Sequence, residues 1–349
     1  TESFGKLVND DEIVAHEINS ANRPVVLTGM MVNQHPRRSE ILSIIRDLCA
    51  LSGASFGTQL EGANAVGAWT YGAVPHRNPG GKIIERPGEV FTEIVASPKR
   101  VYLLFGIDPI LDCAKSSAIK KSLEEAKFVI AFSAFKNTCL EDVADIILPT
   151  ALYAENEGSL VNGFGSLQSF EQAVRPPGEA RLGWKILNKI GLSLFPDDFT
   201  AVSLEDVQGQ MRKVDRETLE SRSLERTAKN DTGIDDEQRV FSKGLLEILV
   251  DVPPYSSYQL VRHAPALQET RYSGDDLIRI SKSAASDLML TDGDRVGIER
   301  DDVRAFARVK IDNSVAPETC VVSGARLGLA EVAQNGKFAR LMSVQGDTA

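Results

Sequence analysis

Residues 101–132, VYLLFGIDPILDCAKSSAIKKSLEEAKFVIAF, contain the pattern that decides the fold. Val101–Asp108 and Phe128–Phe132 are apolar along most of their length, and Ser116–Ala126 between them has the spacing of an amphipathic helix. Asp145–Pro149 (DIILP) repeats the apolar strand pattern. Apolar strands separated by helices are typical of a parallel sheet covered on both faces. The stretch therefore predicts an α/β fold with a doubly wound, mostly parallel sheet.

The same pattern begins earlier in the chain, where Pro24–Gly29 (PVVLTG) predicts a strand and Arg37–Gly53 predicts the helix that follows it. Ligands of doubly wound sheets bind at the carboxyl ends of the strands. These ends fall at residues 29–35, 106–112, 133–138 and 150–165.

A glycine-rich segment, Gly53–Gly81, separates these strands. We predict a long ordered loop there, because the segment has too many glycines for a regular helix or strand and too many aromatic residues for a disordered linker. Its aromatic side chains include Trp69, Tyr71 and His76. They either anchor a contact with a partner protein or cap the core of this domain, and the sequence leaves both readings open.

Composition restricts the possible functions. The chain has 349 residues, enough for two or three domains, and 39 Lys and Arg against 49 Asp and Glu give a net charge of −10, which opposes nucleic acid binding. Its apolar stretches are far shorter than the roughly 20 residues of a membrane-spanning helix, so direct membrane insertion is not expected. Four cysteines lack any metal-ligand spacing and predict free thiols: Cys49, Cys113, Cys139 and Cys320.

The chain is predicted to have three parts: an α/β domain at 1–200, a polar helical connector at 201–271 and a small β-barrel domain at 272–349. The connector is suggested by the very polar run Ser203–Asn230. The barrel is suggested by short alternating strands and an Asp292-Gly293 turn. The apolar positions expected to face the barrel interior are Val296, Ile298, Val303, Phe306, Val309 and Ile311.

Familiar catalytic motifs fail in this sequence. Gly53–Gly57 (GASFG) matches the G-x-S-x-G pattern of hydrolases, but a helix precedes it where that motif requires a strand. Each Gly-Lys pair is followed by an apolar residue, which excludes a P-loop. The histidines are isolated from one another: His16, His35, His76 and His263. We therefore predict no catalytic residue and no metal ligand.

One segment stands out, ADIILPTA at 144–151 followed by ENEGSLVNGFGSLQ at 155–168. A strand ended by Pro149 would deliver short polar groups and carboxylates to the edge of the sheet, where they could meet a polar ligand. The candidate residues at this edge are Glu155, Glu157, Gly158, Asn162 and Gln168. PPGEAR at 176–181 and WKIL at 184–187 follow.

This order of motifs resembles the molybdopterin-oxidoreductase superfamily. In particular it resembles the C-terminal region of the large iron–sulfur (G) subunits of bacterial NADH:quinone oxidoreductase, respiratory complex I. The loops at 62–75 and 260–270 are similar to family loops, and DGDRVGIER at 292–300 resembles the family's C-terminal double-psi barrel. The matches span about residues 24–330 in the family's order.

The sequence also departs from the family pattern. The family's cysteine-rich, cluster-bearing N-terminal portion is absent from these residues, and no Cys, selenocysteine or Ser can be placed as a ligand to molybdenum. Where the family commonly has Glu-Gly-Arg after the Asn, this chain has Gly163–Ser166 (GFGS) and so lacks a cation for a cofactor phosphate. The resemblance therefore implies a pterin-enzyme scaffold with no cofactor in this chain, and the edge at 155–168 would be vestigial.

The resemblance implies a non-catalytic scaffold that supports electron transfer from NADH to quinone. Iron–sulfur clusters are expected in the missing N-terminal part, FMN in partner subunits, and the other peripheral-arm subunits as partners. The expected location is peripheral, on the cytoplasmic side of the bacterial inner membrane. Two alternatives stay open: a fragment of an active molybdopterin-dependent oxidoreductase, such as a formate dehydrogenase-like enzyme, and an unrelated α/β protein.

Overall fold

A computed structural model of the chain describes residues 11–344 except 34, 36, 61, 114, 215–243, 301–302, 327 and 334–336. The chain divides into two compact units. The described part of the first unit is 11–88, 158–170 and 202–214, and that of the second is 89–157, 171–201 and 244–344.

The regular elements follow one another as alternating helices and strands over most of the chain. The helices are α1 Asp11–Ser20, α2 Met30–Asn33, α3 Arg38–Ser52, α4 Ala65–Thr70, α5 Phe91–Ala96, α6 Ser116–Glu124, α7 Thr138–Val143, α8 Gly183–Leu194, α9 Leu204–Arg212, α10 Gln259–Arg262, α11 Pro265–Gln268 and α12 Lys282–Asp287. The strands are β1 Val25–Thr28, β2 Ser55–Thr58, β3 Val101–Phe105, β4 Phe128–Ser133, β5 Ile146–Pro149, β6 Gly158–Val161, β7 Leu167–Phe170, β8 Leu245–Asp251, β9 Leu277–Ile280, β10 Arg295–Arg300, β11 Val303–Ile311, β12 Thr319–Ser323 and β13 Phe338–Ser343. Short 3-10 turns lie at Pro79–Gly81, Tyr153–Glu155, Pro254–Ser256 and Arg271–Ser273.

The predicted α/β fold with parallel strands is confirmed, but the parallel strands form two sheets, one in each unit, where the sequence predicts a single doubly wound sheet. In the first unit β1 pairs with β2 in parallel, and in the second unit β3, β4 and β5 form a parallel sheet in that order. The core of the second sheet comes from the inward positions of the strands and from helices α6 and α7. Its buried members are Tyr102, Leu104, Ile119, Leu123, Val129, Ala131, Leu140 and Val143.

The prediction that Gly53–Gly81 has no regular structure is also wrong, since β2 and α4 lie within it. Gly53 ends α3 in the left-handed conformation, with φ 69°. Gly57 in β2 is opposite Leu27, and a Cβ at Gly57 would lie 2.8 Å from the Leu27 side chain. Glycine therefore permits this strand pairing, because it leaves room for a side chain of the neighbouring strand.

The C-terminal strands close into a six-stranded barrel in the order β10-β11-β9-β12-β8-β13. This confirms a small barrel, while its double-psi connectivity stays a prediction. Strand β8 lies within 201–271, where the sequence predicts a helical connector; of that range, 215–243 lie outside the described residues. The barrel interior is filled by fully buried apolar side chains, among them Ile248, Ile278, Ile280, Val296, Ile298, Val309 and Val322.

One predicted interior residue faces outwards. Phe306 is 47% exposed, while Ala305 and Ala307 on either side of it are buried. Side chains of a strand alternate between its two faces, so small alanines occupy the interior positions and Phe306 points away from the core. Hydrophobicity alone misleads here because the interior of β11 is packed with small residues.

Candidate functional site

The carboxyl edge of β3 in the second unit begins with a buried acid. The Asp108 side chain is 6% exposed, and its Oδ1 accepts hydrogen bonds from the backbone N–H groups of Ile110 and Leu111, each at 3.0 Å. Asn137 Nδ2 donates to Asp108 Oδ2 at 3.3 Å. The carboxylate therefore holds the turn after β3 and joins it to the loop after β4.

An ion pair occupies the same edge. Arg262 Nη2 donates to Asp112 Oδ1 at 2.7 Å, and the two side chains are 9% and 24% exposed. Arg262 Nη1 also donates to the backbone carbonyl of Ser256 at 3.0 Å, and Asp112 Oδ2 accepts the backbone N–H of Asp108 at 2.7 Å. A network of charge-assisted hydrogen bonds between the chain's own residues therefore occupies the carboxyl end of β3.

His263, the residue next to Arg262, makes an aromatic contact that supports this network. The His263 ring stacks on Phe135, with ring centroids 4.2 Å apart and planes 11° from parallel. Phe135 follows β4, so the segment 258–270 contacts the loops after two neighbouring strands. Because these contacts connect residues far apart in sequence, local patterns could not predict them.

Two thiols lie near this edge. Burial is the main cause that raises the pKa of Cys113 to about 11, and the negative charges of Asp112 and Asp108 contribute to this increase. Burial also raises the pKa of Cys139 to about 11, with Asp108 adding to the effect. Both thiols are therefore protonated at neutral pH, which makes them poor nucleophiles. Among the described residues, no group of three or more His, Cys, Asp or Glu could hold a metal ion.

A separate cavity of about 450 Å³ lies within the first unit. It is bounded by the β6–β7 hairpin and by the loop that leads into α4. Its lining residues are Leu60, Gly62, Ala63, Ala65, Leu160, Val161, Asn162, Gly163, Gln168, Ser169 and Phe170. This described lining is uncharged.

Two side-chain amides, those of Asn162 and Gln168, lie in the lining of this cavity. Asn162 Oδ1 accepts from the backbone N–H groups of Phe164 and Ser166, each at 3.0 Å, and Asn162 Nδ2 donates to Gln168 Oε1 at 3.0 Å. Asn64 Oδ1 accepts the backbone N–H of Val161 at 2.8 Å and thereby fixes the loop to the hairpin. Asn64 belongs to the loop at 62–75, and its similarity to a family loop was the signal that could have indicated this role.

The predicted edge residues belong to two different units. Glu155 and Glu157 are in the second unit, where Glu155 Oε2 accepts the backbone N–H of Leu152 at 2.9 Å and starts a 3-10 turn. Gly158, Asn162 and Gln168 are in the first unit. Asn162 and Gln168 meet in the cavity wall, and a Cβ at Gly158 would lie 3.3 Å from the Phe170 ring.

The residues of this cavity do not fit the diphosphate of a pterin dinucleotide. A diphosphate is bound by cationic side chains or by several converging donors. The described lining has no cation, and the Asn162 carbonyl and one N–H of its amino group are already hydrogen-bonded within the hairpin. Phe164 is at the position where the resemblance implies an arginine-containing segment, and it is 97% exposed.

A search of the described residues for membrane-spanning helices finds none with the length and hydrophobicity that crossing a bilayer requires.

A comparison with known proteins finds a family whose profile matches this chain. The profile described as "Molybdopterin oxidoreductase" matches residues 2–192. The "F420-dependent formate dehydrogenase subunit alpha" of Methanocaldococcus jannaschii is 28% identical over 221 residues, 56% of this chain and 33% of that protein. The mitochondrial "NADH-ubiquinone oxidoreductase 78 kDa subunit" of Candida albicans is 25% identical over 178 residues, 51% of this chain and 22% of that protein.

Among solved structures, acetylene hydratase from Pelobacter acetylenicus has a similar fold, with a TM-score of 0.53 and 14% identity. The match covers 81% of this chain and 51% of the hydratase. At this identity the likeness concerns the fold alone. The chain spans a third or less of the length of the two curated relatives named above.

Proposed function

We propose a function from the premise that this chain belongs to the molybdopterin oxidoreductase family, whose profile covers residues 2–192 of its 349. Within that family, the chain is a non-catalytic scaffold region of the large iron–sulfur (G) subunit of an NADH:quinone oxidoreductase. It keeps the architecture of pterin enzymes, and neighbouring parts of the assembly carry the electrons from NADH to quinone.

The observation that carries this proposal is the ion pair between Arg262 and Asp112. Doubly wound sheets bind their ligands at the carboxyl ends of the strands, and here the end of β3 is closed by a guanidinium that is 9% exposed. A ligand entering this edge would have to separate the pair. Removing one partner of a buried ion pair typically costs about 3–5 kcal/mol, so the closed edge favours a structural role.

The uncharged cavity of the first unit supports the same role. Its amide groups hold the β6–β7 hairpin together, and the hairpin tip has Phe164 exposed to solvent where a cofactor-binding member would need a cation. Similarity to the 78 kDa subunit of the mitochondrial NADH-ubiquinone oxidoreductase favours complex I as the assembly.

This proposal includes the cofactors, partners and location. The iron–sulfur clusters belong to another part of the complete subunit, FMN belongs to a partner subunit, and this chain has no cofactor of its own. Its partners are the other subunits of the peripheral arm, on the cytoplasmic side of a bacterial inner membrane.

A second candidate is a fragment of an active molybdopterin-dependent oxidoreductase of the formate dehydrogenase type. The 28% identity to a formate dehydrogenase subunit over 56% of this chain favours it. The two candidates differ in the electron donor that the complete assembly oxidises.

Affinity purification of the complete protein from its host distinguishes them. The proposal predicts that the purified assembly reduces a soluble quinone with NADH and that formate does not replace NADH. An untagged strain processed in parallel controls for contaminating dehydrogenases. Formate oxidation that follows the tagged protein through each purification step, without NADH oxidation, would overturn the scaffold proposal.

A further inference from the structure

The outer face of the β10–β11 ribbon, within the second unit, differs in charge from the chain as a whole. Strand β11 alternates strictly, with Ala305, Ala307 and Val309 buried in the barrel. The outward side chains of β11 are Arg304, Phe306, Arg308 and Lys310. We call this outer surface, together with Arg295 and Glu299 of β10, the basic ribbon face.

An exposed aromatic ring lies at the centre of the basic ribbon face. Phe306 is 47% exposed, with the guanidinium carbon of Arg304 4.9 Å and that of Arg295 5.6 Å from the ring centroid. Gly297 is opposite Phe306 in the register, and a Cβ there would lie 3.1 Å from Arg304 Nε. The missing side chain of Gly297 thus leaves room for a guanidinium, and two guanidiniums are held against one ring by cation–π attraction.

Ion pairs among the described residues compensate only part of the charge on this face. Arg304 is paired with Glu299 at 3.2 Å and Lys310 with Asp292 at 3.1 Å. Arg308 donates to the backbone carbonyl of Gly293 at 3.0 Å. Within the part of the chain that the structure describes, neither Arg295 nor Arg308 has a carboxylate at ion-pair distance.

These two arginines are direct neighbours across the ribbon, since Arg295 is the register partner of Arg308. Like charges opposite each other in an antiparallel pair are destabilising. An anion placed between the two guanidiniums would relieve this repulsion and could accept hydrogen bonds from both. The face therefore combines an electrostatic reason to bind a carboxylate with an apolar ring beside it.

We propose that the basic ribbon face docks an acidic segment of a partner protein. Carboxylates of the segment meet Arg295 and Arg308, and an apolar side chain of the segment packs on Phe306. Arginine and aromatic residues are the usual anchors of protein interfaces. Because stacking on Phe306 already restricts the guanidiniums of Arg295 and Arg304, binding loses less side-chain entropy than it would with free arginines.

The charge distribution favours a short acidic protein segment over a polymeric anion. The guanidiniums of Arg295 and Arg308, which have no ion-pair partner among the described residues, lie near Glu299 and Asp292, and the chain carries a net charge of −10. Nucleic acids gain affinity from many successive phosphate contacts, which this small surface does not offer.

Fluorescence anisotropy with the full chain tests the proposal, using a dye-labelled peptide Glu-Glu-Phe-Glu-Glu at low ionic strength. We expect saturable binding that weakens as salt is added. The double variant R295Q/R308Q should lose about tenfold or more in affinity, and F306A should also lose affinity. The matched control K282Q/K337Q, which removes two exposed lysines of the same unit outside this face, should bind like the parent chain.

Several results would overturn the proposal. One is equal binding of Gln-Gln-Phe-Gln-Gln, and another is an equal loss of affinity in the control variant. Tighter binding of a single-stranded oligonucleotide or of phosphatidylserine vesicles, with the same dependence on Arg295 and Arg308, would replace the protein partner by another anion. Absence of peptide binding by the parent chain would also refute it. Thermal unfolding of each variant checks that it is folded, which we expect because the replaced side chains are exposed.

Discussion

Replacing Arg262 by methionine tests the closed edge of the second unit. The variant keeps the aliphatic stem but loses the bond to Asp112 and the bond to the Ser256 carbonyl. Hydrogen bonds to charged groups contribute about 1.5–3 kcal/mol each, and breaking a fully buried ion pair costs about 3–5 kcal/mol. Asp112 is 24% exposed, so water can partly solvate its stranded carboxylate. We expect a loss of about 2–4 kcal/mol in local stability.

Native-state hydrogen exchange of the complete chain is the suitable assay. The chain has two compact units, so a single unfolding transition is not assured, whereas the amides of β3 and β4 report on the second unit directly. A double-mutant cycle of R262M with D112N should give a coupling energy above about 1 kcal/mol. The control R271M removes an arginine whose guanidinium stacks on Tyr272, and it should change stability by less than about 0.5 kcal/mol.

A coupling energy near zero would refute this reasoning. It would also be refuted if R262M and R271M lowered the protection of β3 and β4 equally. In either case Arg262 would not close the edge, and a ligand could enter there at little cost.

Three further predictions concern other parts of the chain. Gly293 has φ 93°, and no atom lies within 4 Å of the place that a Cβ would take. Gly293→Val should therefore destabilise the barrel by about 1–3 kcal/mol through backbone strain, whereas the control Gly328→Val should not, and chemical denaturation of both variants measures the difference. Burial raises the thiol pKa of Cys113 and Cys139 from 9.0 to about 11, so their contribution to stability is complete below pH 9 and is lost as the pH approaches 11. Alkylation followed by mass spectrometry should show slow modification of both thiols below pH 9 and faster modification as the pH approaches 11. Trp69 is 45% exposed, and its ring contacts the His76 ring edge-on with the two ring centroids 4.7 Å apart. Trp69→Ala should therefore leave the fold largely intact and reduce co-purification with NADH-oxidising partners. Loss of stability with normal co-purification per folded molecule would exclude docking through Trp69.

Local patterns in the sequence predict much of the fold. The apolar runs of β3, β4 and β5 and the alternating strands β9 to β12 are visible because each forms within a few residues. Local patterns do not predict strand β2, because the glycine at position 57 is suited to packing against Leu27, which is distant in sequence. Phe306 is misplaced because interior positions in β11 are filled by alanines, so hydrophobicity and burial disagree.

The candidate site is harder to predict. Asn162 and Gln168 could be selected from one short motif, and the structure brings them together. The pair of Arg262 and Asp112 joins residues 150 positions apart, and neither residue has a local pattern that indicates its partner. Long-range pairs of this kind depend on how the loops after neighbouring strands fold over the sheet, which single-sequence periodicity does not encode.

The content of molybdenum, tungsten and pterin in the complete protein, purified in its native assembly, tests the scaffold proposal most directly. The proposal predicts that neither metal reaches a stoichiometric amount and that acid denaturation releases no pterin attributable to this subunit. One atom of molybdenum or tungsten per chain, accompanied by an equal amount of released pterin, would contradict it.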